Sequence, residues 1–544
     1  TVTLSGVSAA SITKAAGETF NLLIIGGTGI KSLGGPVTTT SNLTINAGAT
    51  LDVGASNYTL NVNGNWLDNG TFNCHSGLVT MNSAAAHSIT KAAGETFNNL
   101  TLTLAGIKTL GGPVTINGNL NITGSTLDVS ASNYALTVNG NWTNTGTFTP
   151  RSGTVTFNGN TAQSITKAAG ETFNNVVFSN TGTKSLGAPI TVSGGISINA
   201  GATLDASAGN YALNLKGNWT NAGVFTPRLG TVTLNGLANQ VLSGSATSTF
   251  YNLTLNNAGG ANVSAGTFTV SNALTATTGQ LNNTGGTFTL LANAVSNAYI
   301  GNGAGTFAGT FQCQRWTPNP GQGNWADIGS TVRNNTVNDW DQQIYISGVG
   351  GRSGSASGFE SFTLFDETSP TGNYAAITST ATSITPCVGY TLWLADTYSP
   401  ANWNPKNITS DGTPNYGSVT SQPLTYTAGS YDPGENHVAN PYPSHITWDA
   451  SGVKITKAGS VDLSTIYVIS NGNYVAHGNG FDLPGGQGFI VYATAAGANT
   501  ITFTQSAKNT STASTFDFRE AAPYNLKLKL STPVMPDLFH EVTV

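Results

Sequence analysis

The string SITKAAGETFN begins at Ser11, Ser88 and Ser164, and a degraded copy, VLSGSATSTFYN, runs from Val241. The spacings are 77 and 76 residues, and the same two spacings, in either order, recur in GNW at Trp66, Trp142 and Trp219, in Lys31, Lys108 and Lys184, and in Asp52, Asp128 and Asp205. Self-similarity at a fixed period means one structural unit stacked on copies of itself, because a single copy cannot bury its own apolar face.

A shorter period lies inside the long one. Brief apolar alternations end in Asn, Gly or Ser: TVTFNG from Thr154, NVVFSN from Asn175, GISINAG from Gly195, ALNLKG from Ala212 and TVTLNG from Thr231. Their first apolar members, Val155, Val176, Ile196, Leu213 and Val232, stand 21, 20, 17 and 19 residues apart. This predicts four coils of about 19 residues per long repeat, wound as a parallel β-solenoid over residues 1–305. The repeats fall at about 1–77, 78–153, 154–230 and, degraded, 231–305. At ~4.8 Å per coil, roughly 15 coils make a rod on the order of 70 Å long. Identical residues four coils apart cannot stack, so Trp66, Trp142 and Trp219 are expected to form no ladder. The KAAGET turn is expected on one side of the rod at even intervals. Its pairs Lys14 and Glu18, Lys91 and Glu95, and Lys167 and Glu171 read as solvated, weakly paired charges, against the alternative of a ligand-binding array.

Charge is scarce. Only 8% of the 544 residues are Asp, Glu, Lys or Arg, where about 25% is usual, and the net charge is −5. No basic block exists to neutralise phosphates, so nucleic acid is not an expected partner. No run of 18 apolar residues exists to span a bilayer as a helix, and TVTLSGVSAA lacks the form of a signal peptide, which implies removal of a leader or its absence from the sequence given. From Leu229 to Gln314 there is no acid, base or histidine, and residues 1–228 hold nine basic and seven acidic residues, thinly spread. Cleavage of acidic polysaccharides on a solenoid needs clustered carboxylates, calcium and a base, so catalysis on the rod is not expected.

Near residues 300–315 the composition changes. Six of nine tryptophans and 17 of 24 acids follow, with strand-like runs such as YTLWL from Tyr390, TIYVIS from Thr465 and GFIVYA from Gly488. These predict an antiparallel β-sandwich or jelly roll over residues 306–520. A terminal strand segment, 521–544, reads as the start of another β domain or as a pairing strand, and donor-strand exchange with a neighbouring subunit is the alternative.

In this region FQCQRW from Phe311, VGYTLWL from Val388, NPYPSHITW from Asn440, IYVISNGNY from Ile466 and PGGQGFIVYA with ITFTQSAK from Ile501 resemble the C-terminal β-sandwich region of large cell-surface proteins of Bacteroidota. The resemblance spans about residues 305–540. It implies type IX secretion, an extracellular or surface-attached place on a Gram-negative cell and structural or adhesive duties, and it supplies no catalytic residues. Family members continue to a sorting domain that would attach them to the outer membrane, whereas this sequence stops at Val544.

Candidate sites are few. Asp432, Glu435 and Asn436 in YDPGENHVANPYPS offer oxygen ligands of the kind Ca²⁺ takes, against the alternative of a structural turn. Otherwise no cofactor is expected. Trp393, Tyr398 and Trp403 lie in or beside a Pro-rich loop and suit sugar rings, against core packing. Cys313 and Cys387 are either a disulfide or two isolated buried thiols, and Cys74 stands apart. No GxSxG, HExxH or P-loop is present. The leading expectation is a non-enzymatic structural or adhesive surface protein whose partners are further copies of itself, other cells or surface polysaccharide. The alternative is a carbohydrate-binding or carbohydrate-processing secreted protein. Ice binding is the weakest reading, because the outward residues vary too much for a regular Thr face.

Overall fold

A computed structural model describes residues 1–318, 324–350, 360–370, 374–396, 404–470 and 473–513. The chain is all-β, with a parallel β-solenoid of about 15 turns. It divides into two compact units, Thr1–Phe268 and Thr269–Val544.

In the first unit most strands pair in parallel with the third strand after them, so one coil is three short strands joined by three corners. Most strands are three or four residues long, and their ends point inward while the middle residue points out, as at Leu43–Ile45 and Ile196–Ile198. Inward positions stack Val, Leu, Ile, Phe and Trp at or near zero exposure. Outward positions stack neutral polar groups, as in the column Thr96, Thr115, Thr137 and Thr156. Asparagine fastens the corners: the Asn99 side-chain oxygen accepts from the Asn119 amide at 2.9 Å, Asn119 from Asn141 at 2.8 Å, and Asn141 from Ser164 at 2.8 Å. These bonds satisfy backbone donors that the parallel ladder leaves over at each turn.

Register corrects the expected coil length. Val155 pairs with Val176, Val176 with Ile196, Ile196 with Trp219 and Trp219 with Leu242, which are 21, 20, 23 and 23 residues apart. Leu213 and Val232 instead stack on each other in a neighbouring sheet. One long repeat holds eleven strands, as from Val2–Leu4 to Thr71–Asn73 and from Leu78–Asn82 to Thr147–Thr149, and eleven strands make three and two-thirds coils of about 21 residues. Each repeat therefore enters rotated by one strand position. The SIT segments at Ala10–Ile12, His87–Thr90 and Gln163–Thr166 lie in three different sheets. The three KAAGET turns follow three different corners, against the expectation that they share one side. Trp66, Trp142 and Trp219 likewise occupy three sheets and form no ladder.

In the second unit parallel pairing continues from Gln280–Asn283 to Thr306–Gly309 and from Thr289–Leu290 to Gln312–Cys313. The strand Phe311–Thr317 then pairs antiparallel with Lys406–Pro414. Further strands described after it pair antiparallel around two cores. One core includes Trp340, Phe362, Tyr390 and Leu392, and the other Tyr442, Trp448, Phe489 and Phe503. Among the described residues, helix is limited to Val337–Asp341 and a 3₁₀ turn at Gln505–Ala507.

Candidate functional sites

The solenoid's few charges are drawn inward. Lys31, Lys108 and Lys184 are at most 1% exposed, and each sits two residues before an inward Leu in the same strand. The Lys31 ammonium donates to the carbonyls of Gly6 and Gly29 at 2.8 and 2.7 Å, and Lys108 donates to Ser83 and Gly106 at 2.7 and 3.1 Å. Lys184 donates to Gly159, Gly182 and Asn180 at 2.9, 2.7 and 3.0 Å and also to Ser179. A buried cation is tolerated because carbonyl oxygens replace its water. Burial lowers Lys108 from the usual range and brings Lys184 down to about 8. The degraded repeat has Ala261 at this position, and Asn257 fills the cage, donating to Ala238 and Gly260 at 2.7 and 3.0 Å and to the Gln240 side chain at 3.0 Å.

The KAAGET glutamates differ from expectation. Glu95 and Glu171 are each 2% exposed. The Trp66 indole donates to Glu95 at 2.7 Å and the Trp142 indole to Glu171 at 2.9 Å, with Asn144 adding a bond to Glu171 at 2.6 Å. Lys91 and Lys167 reach these acids at 3.6 and 3.2 Å. In the degraded repeat Ser248 accepts from Trp219 at 2.9 Å. Only Glu18, in the first copy, is solvated as expected, 3.4 Å from Lys14.

A second corner carries bidentate pairs. The Arg151 guanidinium grips Asp128 with two bonds of 2.7 Å, and Arg228 grips Asp205 at 2.9 and 2.8 Å. Hydrogen bonds from these guanidinium groups hold both carboxyls below the ordinary range. In the first copy His75 replaces the arginine, 2.9 Å from Asp52. His75→Arg is expected to restore the fork, adding about 0.5 kcal/mol. A thermal midpoint raised by a degree or two checks this, and an unchanged or lower midpoint counts against it.

The Ca²⁺ candidates serve other bonds. Asn436 accepts from the Thr425 amide at 2.9 Å and donates to the carbonyls of Thr425 and Gly434, both at 2.9 Å. Glu435 meets His437 and Tyr492, each at 3.1 Å. Asp432 is half-buried, and its carbonyl accepts from the Glu435 amide at 3.2 Å. The group that organises this loop is Glu367, distant in sequence and 4% exposed. It accepts from the Thr427 amide at 2.6 Å, the Thr427 hydroxyl at 3.0 Å, Ser430 at 3.2 Å and the Gly434 amide at 2.9 Å. Burial alone would raise its pKa, but these donors outweigh burial and hold the carboxyl low. The loop is thus built as donors around an anion.

Of the glycan candidates, Tyr398 and Trp403 lie outside the described residues. Trp393 is half-buried in Tyr390–Leu394, opposite Trp325, with ring centres 5.5 Å apart and edge-on. Trp325 was missed in the sequence, although alternation in NWADI places it on the face opposite Ala326. Of the two readings of Cys313 and Cys387 the structure has the isolated buried thiols and no bridge, and Cys74 is also free. Cys313 faces Ser410 across its strand pair, while Cys387 belongs to the Tyr442 and Trp448 core. Burial pushes both of these thiols well above the usual range.

The NPYPS segment is an interior fastener, with Asn440 and Tyr442 fully buried. Asn440 donates to the carbonyls of Ser444, Leu483 and Pro484 at 2.9, 3.1 and 3.0 Å, and the Tyr442 hydroxyl shares its one proton between the carbonyls of Gly417 and Phe503 at 2.6 and 2.8 Å. Among the described residues no group of three or more His, Cys, Asp or Glu is placed to hold a metal, and no helix is long and apolar enough to cross a membrane. Comparisons with protein families, with curated proteins and with solved structures find no match.

Proposed function

We propose that this chain is a non-catalytic structural or adhesive protein of a cell surface, its solenoid serving as a stiff spacer and its antiparallel region as a β-sandwich or jelly-roll contact module. One observation supports it most. In residues 1–228 all seven acids, and every basic residue except the exposed Lys216, are engaged within the chain, leaving Thr, Ser and Asn, with scattered apolar side chains such as Leu104 and Val224, as the unpaired exterior. Such a spacer spends its ionisable groups on holding coils together and keeps hydroxyls and amides for contact. Type IX export and placement outside a Gram-negative cell follow from the family resemblance, and the partners are further copies, other cells or surface polysaccharide.

Beads coated with the purified protein test the proposal. Adhesion through neutral hydrogen-bonding groups should change less than about twofold between 0.15 and 1 M NaCl, because no screened ion pairs carry it. Turnover of a polysaccharide by the chain, or adhesion to no cell or glycan surface, would overturn it.

Carbohydrate binding is the second reading, favoured by the Trp325 and Trp393 pair. Trp393→Ala is expected to weaken binding on a glycan array at least about tenfold, a stacked aromatic being worth roughly 0.5–1.5 kcal/mol beyond its buried area. No saturable binding to any sugar would remove this reading.

A further inference from the structure

Three of the segments that carry the family resemblance meet at one cavity in the second unit. FQCQRW supplies Cys313, Gln314 and Arg315, NPYPSH supplies Pro443 and His445, and PGGQG supplies Gly485. The space enclosed by these and their neighbours leaves about 20 Å³ for the centre of a water-sized particle. One such particle takes roughly 10–15 Å³ on that measure, so the cavity has room for a single small occupant and none for an organic ligand.

The wall sets hydrogen-bond donors around a fixed positive charge. Arg315 lies in the strand Phe311–Thr317, half-buried as a residue, with its Nε and Nη2 shut off from solvent. Burial brings the guanidinium down to about 9, which still leaves it charged at neutral pH. The backbone opposite is shaped to admit it. Gly486 has a φ of 71°, and a Cβ there would stand 2.9 Å from the Gly329 carbonyl and 3.8 Å from Arg315 Nη1. Ser410 accepts from the Trp340 indole at 3.1 Å, which leaves its hydroxyl proton to give, and Thr331 is a second hydroxyl residue of the wall.

The other polar side chains of the wall are committed elsewhere. His445 has Asp482 2.9 Å from Nδ1 and the Ala513 carbonyl 2.9 Å from Nε2. The Gln314 side-chain oxygen accepts from the Ala292 amide at 3.2 Å and from Asn407 at 3.3 Å, and that of Asn297 accepts from the Trp316 amide at 3.3 Å. Among the described residues no Asp or Glu forms part of the wall. Removing a guanidinium from water is costly, and the cost falls most when negative charge stands where the water was. A water molecule in the cavity would meet the hydroxyls but bring no charge, whereas an anion does both.

We infer that this cavity is a binding site for one small monovalent anion of chloride's size, held by Arg315 with the hydroxyls of Ser410 and Thr331. The ion would fasten three segments that are far apart in the sequence.

Crystals of the full chain grown in sodium bromide test this, because bromide takes chloride's place and is located by its anomalous scattering. A bromide peak against the Arg315 guanidinium is expected. In solution at constant ionic strength, replacing gluconate, which is too large for the space, by chloride should raise the thermal midpoint by at least about 2 °C, as for a ligand that binds only the folded chain. Arg315→Met, neutral and of similar length, should remove that difference. Water alone in the cavity of the bromide crystals would overturn the inference. So would midpoints that coincide in chloride and gluconate, or an Arg315→Met chain that keeps the natural chain's response to chloride. Where that variant fails to fold, the crystals and midpoints of the natural chain decide.

Discussion

Lys108→Ala is expected to destabilise the first unit by about 3 kcal/mol, read as a lower urea midpoint at neutral pH. Two losses add. The alkyl stem leaves a cavity in a close-packed interior, and the carbonyl of Ser83 loses its ammonium donor, while Gly106 keeps the Ser125 hydroxyl at 2.8 Å and the Thr126 amide at 3.3 Å. The degraded repeat shows how the loss can be made good, for there Ala261 replaces the lysine and Asn257, four residues earlier, supplies the donors. The corresponding residue in sequence is Asn180 beside Lys184 and Leu104 beside Lys108, both exposed where Asn257 is buried, so the rescue requires this corner to turn an asparagine inward once the lysine is gone. Lys184→Ala should therefore cost less than Lys108→Ala, and Leu104→Asn should rescue Lys108→Ala by about 1 kcal/mol beyond its effect alone. The single Leu104→Asn variant is the needed control. Leu104 has a φ of 63°, a left-handed conformation that asparagine tolerates better, so the replacement stabilises slightly by itself. Equal losses for the two lysine variants, or no coupling with position 104, would refute the cage account.

These cages show what the sequence made legible. Solenoid class, the long repeat and the missing tryptophan ladder follow from periodicity alone. Coil length does not, because a coil of three identical in-out-in strands presents the same alternation at every corner, and Leu213 resembles a stack partner of Ile196 as well as Trp219 does. The buried charges were readable by parity. Lys108 shares a face with Leu110, and Glu95 with Phe97, so inward apolar neighbours already place both side chains inside. The habit of assigning charge to solvent hides this. No such signal exists for Glu367, whose partners at Thr427, Ser430 and Gly434 are brought near only by the tertiary fold. Cys313 and Cys387 were equally opaque, since pairing depends on which core each strand enters.

The second large effect is a loss of stability as pH rises through the neutral range, centred on Glu95. The three later copies of this corner are not equivalent. Where the third and fourth have Asn144 and Asn221 beside the tryptophan, the second has Asp68, 1% exposed. Burial, and then the Asp68 charge, push Glu95 up to about 7, against the pull of Lys91, the Thr96 amide and the Trp66 indole. Lys91 sits nearer Asp68, at 2.7 Å, than Glu95, at 3.6 Å. Cys74 is the other titratable group within its field. In the unfolded chain Glu95 ionises near 4.5. Between about 4.5 and 7 the folded chain holds a proton that the unfolded chain has released, so stability is full below 4.5, falls as pH rises, and levels off above 7. The loss is on the order of 3 kcal/mol. Asp128 and Asp205, held low by arginine, act in the opposite sense and only at lower pH, where protonation removes their stabilisation. His87 and Lys508, lowered by burial, the second to about 7, add stability as pH rises through this window, so the urea midpoint of the natural chain relative to that of Glu95→Gln is what should decline from pH 5 to 8. Asp68→Asn, which copies the residue used at positions 144 and 221, should raise the midpoint at pH 8 and leave it little changed at pH 5. A difference between the two chains that does not change across this window would show that the carboxylate pair is not the group being titrated.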